Sequence, residues 1–182
     1  MPRVPQIRYE SAPPDVREAH DQHIRQHARI TNMKRTLLNS LPAFHALMEW
    51  YPLRDTVQPF LGARLTTLFA HAISAETDCL ICSTFFRRIL IEEGEDPDRL
   101  ELDDRERAVV EYGRCLAVSP FRVPDPIHAR VAAHFDAAQL TALTAFGAIM
   151  VATNVFNNAL EVELDEYLHP YRRESAGSGH AG

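Results

Sequence analysis

The chain has 182 residues, enough for one domain with a sizeable hydrophobic core, so its stability does not require a disulfide. Charged residues make up 24% of the chain, the formal net charge is −6, and no block of Lys or Arg occurs. This balance argues against nucleic acid or an anionic membrane as partner. The stretch Met1 to Arg8 lacks the apolar segment of a secretory signal, so we expect a protein of the reducing cytoplasm.

Composition divides the chain into three parts. Residues 1–13 are polar and rich in proline, and we predict an extended N-terminal arm there. A helical domain is predicted over residues 14–171, beginning at Pro14 and Asp15, which suit a first helical turn. The small polar residues of 172–182 predict a flexible tail.

Three histidines share one face of the first predicted helix. His20, His23 and His27 are spaced at i, i+3 and i+7, which places their imidazoles on one side of the cylinder. Such a face is able to bind a transition metal. A packing or subunit-contact face is the simpler interpretation, and we predict neither a metal site nor a cofactor.

Further helices follow from hydrophobic periodicity and from stop signals. Helical pieces are predicted over 30–38 and 43–51, then a short connector bounded by Pro52 and Pro59, then a strongly periodic helix over 61–73. Later helices are predicted through the cysteine pair and after Asp103, Asp125 and Asp136. No β alternation stands out, so the predicted fold is all-α, with about seven or eight helices.

One uncharged stretch, Ala137 to Leu160, is long enough to cross a bilayer. Its polar side chains, Asn154 and Asn157 among them, would each need a hydrogen-bond partner in hydrocarbon. We therefore predict no membrane span. The expected structure is a core helix, buried on all sides or shared with another subunit, that continues towards Tyr167.

The pair Cys79 and Cys82 is the main chemical feature of the sequence. If Thr77 or Asp78 caps a helix that begins there, the two sulfurs lie one turn apart near its positive end, which favours thiolate. The carboxylates of Glu76 and Asp78 oppose this effect. In a reducing compartment such a pair indicates redox or metal chemistry.

In order and spacing, several short motifs resemble those of the carboxymuconolactone decarboxylase and alkylhydroperoxidase-D-like (AhpD-like) family. The resemblance covers residues 15–171. The matching segments are Asn32–Leu37, Ser40–Pro42, Arg64-Leu65, Cys79–Cys82, Asp104 with Glu106 to Ala108, Val123 with Asp125, and Asn154 with Asn157.

The resemblance implies a helical subunit that assembles as a homo-oligomer, a dimer, trimer or hexamer. In the peroxidase branch of the family it implies that Cys82 attacks a peroxide and that Cys79 resolves the sulfenic acid to a disulfide. A dithiol partner, such as a protein-bound lipoyl group or a thioredoxin-like protein, would then reduce that disulfide.

Two members of the proton relay that the resemblance implies are absent. The position of the expected glutamate holds Thr67, and that of the expected histidine holds Phe86. His71, one turn after Thr67 on the same helix, is our candidate for the missing base. A core histidine is the alternative interpretation. Phe86, at i+4 from Cys82, predicts an apolar pocket that favours organic hydroperoxides.

Two other functions stay open at this point. A decarboxylase-like lyase would need a cationic clamp and a proton donor, for which Arg64, Arg87 and His71 are candidates. A non-catalytic oligomer would use the cysteines to sense redox state or to bind zinc, with further ligands supplied across a subunit interface.

Overall fold

The computed structural model describes residues 2–173, and every regular element in that range is helical. The prediction of an all-α fold is confirmed, with nine α-helices in this range against the seven or eight expected. The helices are α1 (Pro14–His27), α2 (Asn32–Leu37), α3 (Leu41–Met48), α4 (Trp50–Leu61), α5 (Ala63–Glu76), α6 (Leu80–Glu92), α7 (Asp104–Ala117), α8 (Asp125–Ala132) and α9 (Ala137–Leu160). Two 3₁₀ helices lie at Tyr9–Ser11 and Glu166–Tyr171.

Helix α5 forms the centre of the domain, because α4, α6, α7 and α9 all pack against it. Phe69 and Ile73 of α5 are fully buried, and the ring of Phe69 stacks on that of Phe146 from α9 at 6.0 Å between centroids. A Cβ atom at Gly113 of α7 would come within 2.9 Å of the Phe69 ring. The small residue therefore allows α7 to lie close to the core, and α5 is a rigid support for the cysteines that follow it.

A second, smaller core joins the N-terminal helices. Val16 of α1, Leu37 and Leu38 at the end of α2, and Phe44 of α3 are buried together. The N-terminal segment is fixed alongside, since the backbone N–H of Ile7 donates to the carbonyl of Arg35 at 3.1 Å. This cluster holds α2 against the rest of the domain.

Predicted start and stop signals act at several helix ends. Asp103 and Asp136 each form a capping box, in which the carboxylate accepts the backbone N–H three residues later. Gly94, just past α6, has a φ of 85°, which glycine adopts without strain.

The predicted connector between Pro52 and Pro59 is wrong, because both prolines lie inside α4. Pro52 occupies the first turn, where a backbone N–H is not needed. Pro59 lies near the other end, so few backbone bonds are lost before the helix stops at Gly62. The piece predicted over 43–51 is correspondingly split between α3 and α4.

Helix α9 also differs from expectation. It stops at Leu160, because Glu161 adopts a left-handed conformation with a φ of 50°, and it does not continue towards Tyr167. It is not buried on all sides: Val155 is 58% exposed. By length and composition it is the one described helix able to cross a membrane, and 33% of its most apolar window is buried in the domain. The predicted tail, 172–182, lies largely outside the described residues.

The capping box at Asp136 yields a stability prediction. Replacing Asp136 by Ala removes the acceptor for the Gln139 N–H, which lies 2.8 Å from the carboxylate, and should lower the free energy of unfolding by about 1 kcal/mol. Asp136→Asn, whose amide oxygen caps equally well, is the matched control and should change it little. Urea denaturation of the three proteins measures the difference, and equal losses in both variants would contradict the capping role.

Candidate active site

The two cysteines lie at the turn between α5 and α6. Thr77 closes α5, with its hydroxyl donating to the carbonyl of Ile73 at 3.0 Å, and Asp78 adopts a left-handed φ of 50°. Cys79 is the N-cap of α6, so neither Thr77 nor Asp78 takes the capping position that we expected. Cys82 follows within the first turn. Both sulfurs are therefore at the positive end of α6, where backbone N–H groups are free to stabilise a thiolate.

Helix α9 approaches this turn with a row of amides. The side-chain amide of Asn157 donates to Cys82 Sγ at 3.3 Å and to Cys79 Sγ at 3.8 Å. Asn154 donates to the Thr77 hydroxyl at 2.8 Å, and Asn158 donates to the Thr77 carbonyl at 2.9 Å. Asn154 and Asn157 were named above as polar residues of α9, with no role predicted for them. In the structure all three asparagines hold the dithiol turn in place.

The two thiols change each other's pKa in opposite directions. The pKa of Cys79 is lowered to about 7, first by a hydrogen bond from Cys82, and then, against the cost of burial, by backbone N–H groups of α6 and the Asn157 amide. The same bond to Cys79, together with burial, raises the pKa of Cys82 well above its usual value. The pair therefore loses its first proton more readily than a free thiol does, and its second proton much less readily.

Cys82 faces an apolar cavity of about 110 Å³. This volume is several times what a single water needs. The wall is formed mostly by aromatic and aliphatic side chains from α2, α3, α4, α6, α9 and the 3₁₀ helix Glu166–Tyr171. They include Met33, Leu47, Met48, Trp50, Tyr51, Ile81, Phe85, Phe86, Met150 and Leu168. Cys79, which is 0% exposed, lies behind Cys82 and is not part of this wall.

Lys34 of α2 is the charged group in this wall with the most unusual surroundings. It is only 8% exposed, and its ammonium donates to the Tyr51 hydroxyl at 2.7 Å. Burial lowers the pKa of Lys34 to about 8 and raises that of Tyr51 to about 12. Asp165 lines the same cavity, and burial raises its pKa as well. The polar group formed by Lys34, Tyr51 and Asp165 was not predicted from the sequence, although Lys34 is the only lysine in the chain.

His71 lies one turn after Thr67 on α5, but it does not line the cavity and makes no hydrogen bond to either sulfur. Burial, reinforced by the nearby charge of Arg87, lowers its pKa to about 4. The Thr67 hydroxyl donates to the carbonyl of Ala63 at 3.1 Å within its own helix. The structure thus brings Cys79 and Cys82 together and leaves His71 apart from them.

The histidines of α1 form a packing face in the described part of the chain. His23 is buried against Phe44 and Tyr51, and His27 stacks on Tyr51 at 3.5 Å between centroids. His20 contacts the Asp21 carboxylate at 3.0 Å. Within residues 2–173, no three side chains of the metal-binding types come together.

Asn157 is predicted to control thiolate formation. Replacing it by Leu removes a hydrogen bond that favours the thiolate form of both cysteines, so the first thiolate should form at higher pH. Asn158→Ala, which leaves the bonds to sulfur intact, is the control. Ultraviolet absorbance of the thiolate as a function of pH measures the change, and an unshifted Asn157→Leu titration would rule out this role.

Lys34 is predicted to reduce stability. Since its folded pKa lies below the unfolded value of 10.5, the unfolded chain binds more protons between about pH 8 and 10.5, and stability rises with pH in that window. Below it, Lys34→Met should raise the free energy of unfolding by about 1–3 kcal/mol. This advantage should shrink as the pH rises through the window.

Urea denaturation near pH 7 and near pH 10 measures the difference between the parent and the variant. Other groups near Lys34, namely His23 and His27 of α1, Tyr51 of α4 and Asp165, are present in both proteins. An advantage for Lys34→Met that is independent of pH would contradict the prediction.

Comparisons with known proteins identify the fold. No family model matches the chain. The uncharacterized protein YnjA of Escherichia coli K12 is 41% identical over 59 residues. That alignment covers 32% of this chain and 32% of YnjA, so the chain matches about a third of this relative's length.

Several solved structures resemble nearly the whole chain. An AhpD-core, peroxidase-related protein from Ralstonia eutropha JMP134 has a TM-score of 0.72 at 18% identity, over 92% of this chain and 94% of that one. The debrominase Bmp8 has a TM-score of 0.76 at 15% identity, over 92% and 95%. A peroxidase-related protein from Silicibacter sp. TM1040 has a TM-score of 0.68 at 11% identity, over 93% and 94%. A cysteine-to-alanine variant of Bmp8 is also known in complex with 2,3,4-tribromopyrrole. The chain therefore has the AhpD-like helical fold.

Proposed function

We propose that this protein is a thiol-disulfide oxidoreductase of the alkylhydroperoxidase-D-like type, which reduces organic hydroperoxides or disulfides through Cys82 and Cys79. The observation that carries the proposal is the pair of adjacent thiols contacted by one amide, that of Asn157, of which Cys82 opens onto an apolar cavity. Such a pair combines a nucleophile with a second thiol close enough to trap the oxidised sulfur.

The order of the two cysteines follows from their surroundings. Cys82 lines the cavity and meets the oxidant, whereas Cys79 lies behind it and is the resolving thiol. Cys82 thiolate attacks the terminal oxygen of the hydroperoxide, the O–O bond breaks, and a sulfenic acid and an alkoxide form. The Cys79 sulfur then attacks the sulfenic sulfur, and the proton of Cys79 leaves with the hydroxide as water.

Activation of Cys82 needs a base, and Cys79 is well placed to serve. Its thiolate accepts the Cys82 S–H, so a shift of that proton to Cys79 produces the attacking thiolate without a histidine. This arrangement replaces the relay that is missing at Thr67 and Phe86. We therefore assign the role of base to Cys79, and no longer to His71.

Reduction of the disulfide requires an external dithiol, for which we propose a protein-bound lipoyl group or a thioredoxin-like protein. A surface recess of about 390 Å³ lies beside the cysteine turn, on the side of Asn157, and shares only Ile81 with the wall of the Cys82 cavity. The side chain of Leu80, next to Cys79, lines this recess and is 47% exposed. An exposed apolar residue beside the disulfide suits the docking of a protein partner.

We also propose that the protein is a homo-oligomer. The support is the outer side of α9, where Val155 is 58% exposed on a helix of mostly small apolar residues. A second copy of the chain would cover this side.

The cavity also favours a second candidate, reductive dehalogenation of an aromatic compound. Its wall includes the rings of Trp50, Tyr51, Phe85 and Phe86, which suit a flat ligand. The fold likeness to the debrominase Bmp8 supports the same reaction class. Two thiols and an aryl bromide would give the arene, a disulfide and hydrogen bromide. Release of bromide from a brominated pyrrole or phenol would test it.

The lyase alternative has less support. Arg64 is paired with Glu95 and Glu106, Arg87 is paired with Asp98, and neither arginine lines the cavity. A cationic clamp for an acid substrate would have to come from elsewhere.

Thiol counting tests the main proposal. The reduced protein should lose two free thiols on addition of one equivalent of cumene hydroperoxide, and mass spectrometry should locate a Cys79–Cys82 disulfide. Cys82→Ser should form no such disulfide, and its rate of peroxide consumption should fall by at least about 10²-fold. Cys115→Ser, which changes the third cysteine, is the matched control and should behave like the parent. Thiols that stay inert in the parent would refute the proposal.

A further inference from the structure

The wall of the Cys82 cavity contains a buried cation whose position the sequence did not predict. Among the described residues that line this cavity, Lys34 is the one with a positively charged side chain. All other basic residues of the chain apart from histidines are arginines, eighteen of them, since Lys and Arg total 19 and Lys34 is the only lysine. The single side-chain ammonium of the sequence therefore belongs to a residue that lines the same cavity as the attacking cysteine.

The ammonium is incompletely paired in the described chain. Of its three N–H groups, one donates to the Tyr51 hydroxyl at 2.7 Å, and no described carboxylate lies within the 4.0 Å of an ion pair. Because Tyr51 accepts from Lys34, its own O–H is available to a ligand. Asp165 Oδ2 is also buried without a partner among residues 2–173. The cavity thus has one polar end in an otherwise apolar wall.

Burial of an unpaired ammonium opposes folding. A methionine would fill the same space without that cost, so the packing of the wall does not account for the charge. A proton donor in the wall of the cavity that Cys82 also lines does account for it. The proposed peroxide chemistry creates a need for such a donor, because an alkoxide leaves into a cavity with little water to protonate it.

We infer that Lys34 is the general acid of this site, which protonates the oxygen that leaves when Cys82 attacks a hydroperoxide. This inference rests on the proposed function. Tyr51 is a positioning residue, since it accepts the hydrogen bond that holds the ammonium in the wall.

The atoms and protons balance in this scheme. Cys82 thiolate bonds to the terminal oxygen of ROOH, the O–O bond breaks, and the electron pair leaves on RO⁻. Lys34 transfers one proton from Nζ to RO⁻, which gives ROH and a neutral amine. Cys79 thiol then attacks the sulfenic sulfur, and water leaves as the disulfide forms. When an external dithiol restores both thiols, one of the two new protons returns to the amine.

The surroundings match this exchange. Burial lowers the pKa of Lys34 to about 8, and the first proton of the cysteine pair is lost with a pKa of about 7. Near neutral pH the cysteine pair is thus able to lose a proton while Lys34 still holds one, which is the combination that thiolate attack with general-acid catalysis requires. A lysine with its usual pKa would hold its proton too firmly for this role.

Two oxidants with different leaving groups test the inference. Cumene hydroperoxide releases an alkoxide, which needs a proton, whereas peroxybenzoic acid releases a carboxylate, which does not. In single-turnover oxidation of the reduced full-length chain, Lys34→Met should slow the reaction with cumene hydroperoxide by ~10²–10⁴-fold. Its reaction with peroxybenzoic acid should slow by less than about tenfold, because loss of the charge alone reduces the thiolate fraction equally for both oxidants.

Three comparisons complete the experiment. Arg54→Met, which removes a positive charge over the Tyr51 ring but outside the cavity wall, should leave both rates near those of the parent. Lys34→Arg keeps the charge but gives up its proton poorly, so it should resemble Lys34→Met. Alkylation by iodoacetamide, compared at equal thiolate fraction, should be the same in all four proteins and so excludes a folding defect.

The possible results distinguish failure of the proposed function from failure of the inference that Lys34 is the general acid. A parent protein that neither oxidant oxidises would overturn the proposed function and this inference together. A reactive parent, with losses in Lys34→Met that are equal for both oxidants or absent, would overturn the inference alone. Full rescue by Lys34→Arg would likewise overturn it, by showing that the charge acts without proton transfer.

Discussion

The contact between the asparagines of α9 and the α5–α6 turn is the constraint on which the site depends. The amide of Asn157 reaches both sulfurs, while Asn154 and Asn158 bind the Thr77 hydroxyl and carbonyl. Buried amides need partners, so a shift of α9 along its axis would break all these bonds at once. The position of the dithiol relative to the cavity is therefore set by a helix that contributes neither of the two sulfurs.

The hydrophobic core around α5 and the cysteine site are adjacent but differ in packing. The core is densely packed, whereas the site contains a cavity and a buried charge. Phe69 and Ile73, on the same helix that leads to the cysteines, are packed without space, with glycines of α7 and α9 close against them. On the other side of α6 the packing leaves a cavity beside Cys82 and includes an ammonium that destabilises the fold. The rigid core around α5 supports the cysteine site, so the fold tolerates the cavity and the buried Lys34 charge on the other side of α6.

Hydrophobic period and helix caps predicted most of the fold. Helices α7 and α9 begin one residue after Asp103 and Asp136, as predicted, and α5 begins two residues after the predicted start at residue 61. Prolines were less informative, because their effect depends on position within a turn, and Pro52 and Pro59 fall where a helix tolerates them. Whether one side of α9 is covered depends on its neighbours, which a pattern of small apolar residues does not specify.

The site was predictable only in part. The spacing of Cys79 and Cys82 fixes their proximity, but His71 was chosen by helical spacing, which gives a direction on α5 and not the elements that pack there. Lys34 was overlooked because α2 is short and Arg35 beside it makes the segment look like a solvated surface. Its partner Tyr51 lies 17 residues away on another helix. Only tertiary packing shows that this lysine is buried.

Because the chain has a single lysine, cleavage by a lysine-specific protease reports local unfolding of α2. A protease that cuts only after lysine has one target, the bond between Lys34 and Arg35, within a helix whose lysine is 8% exposed. That bond becomes accessible only when α2 leaves the wall of the cavity. Cleavage into two fragments of defined size would thus measure how often α2 moves away from the Cys82 cavity in the native protein.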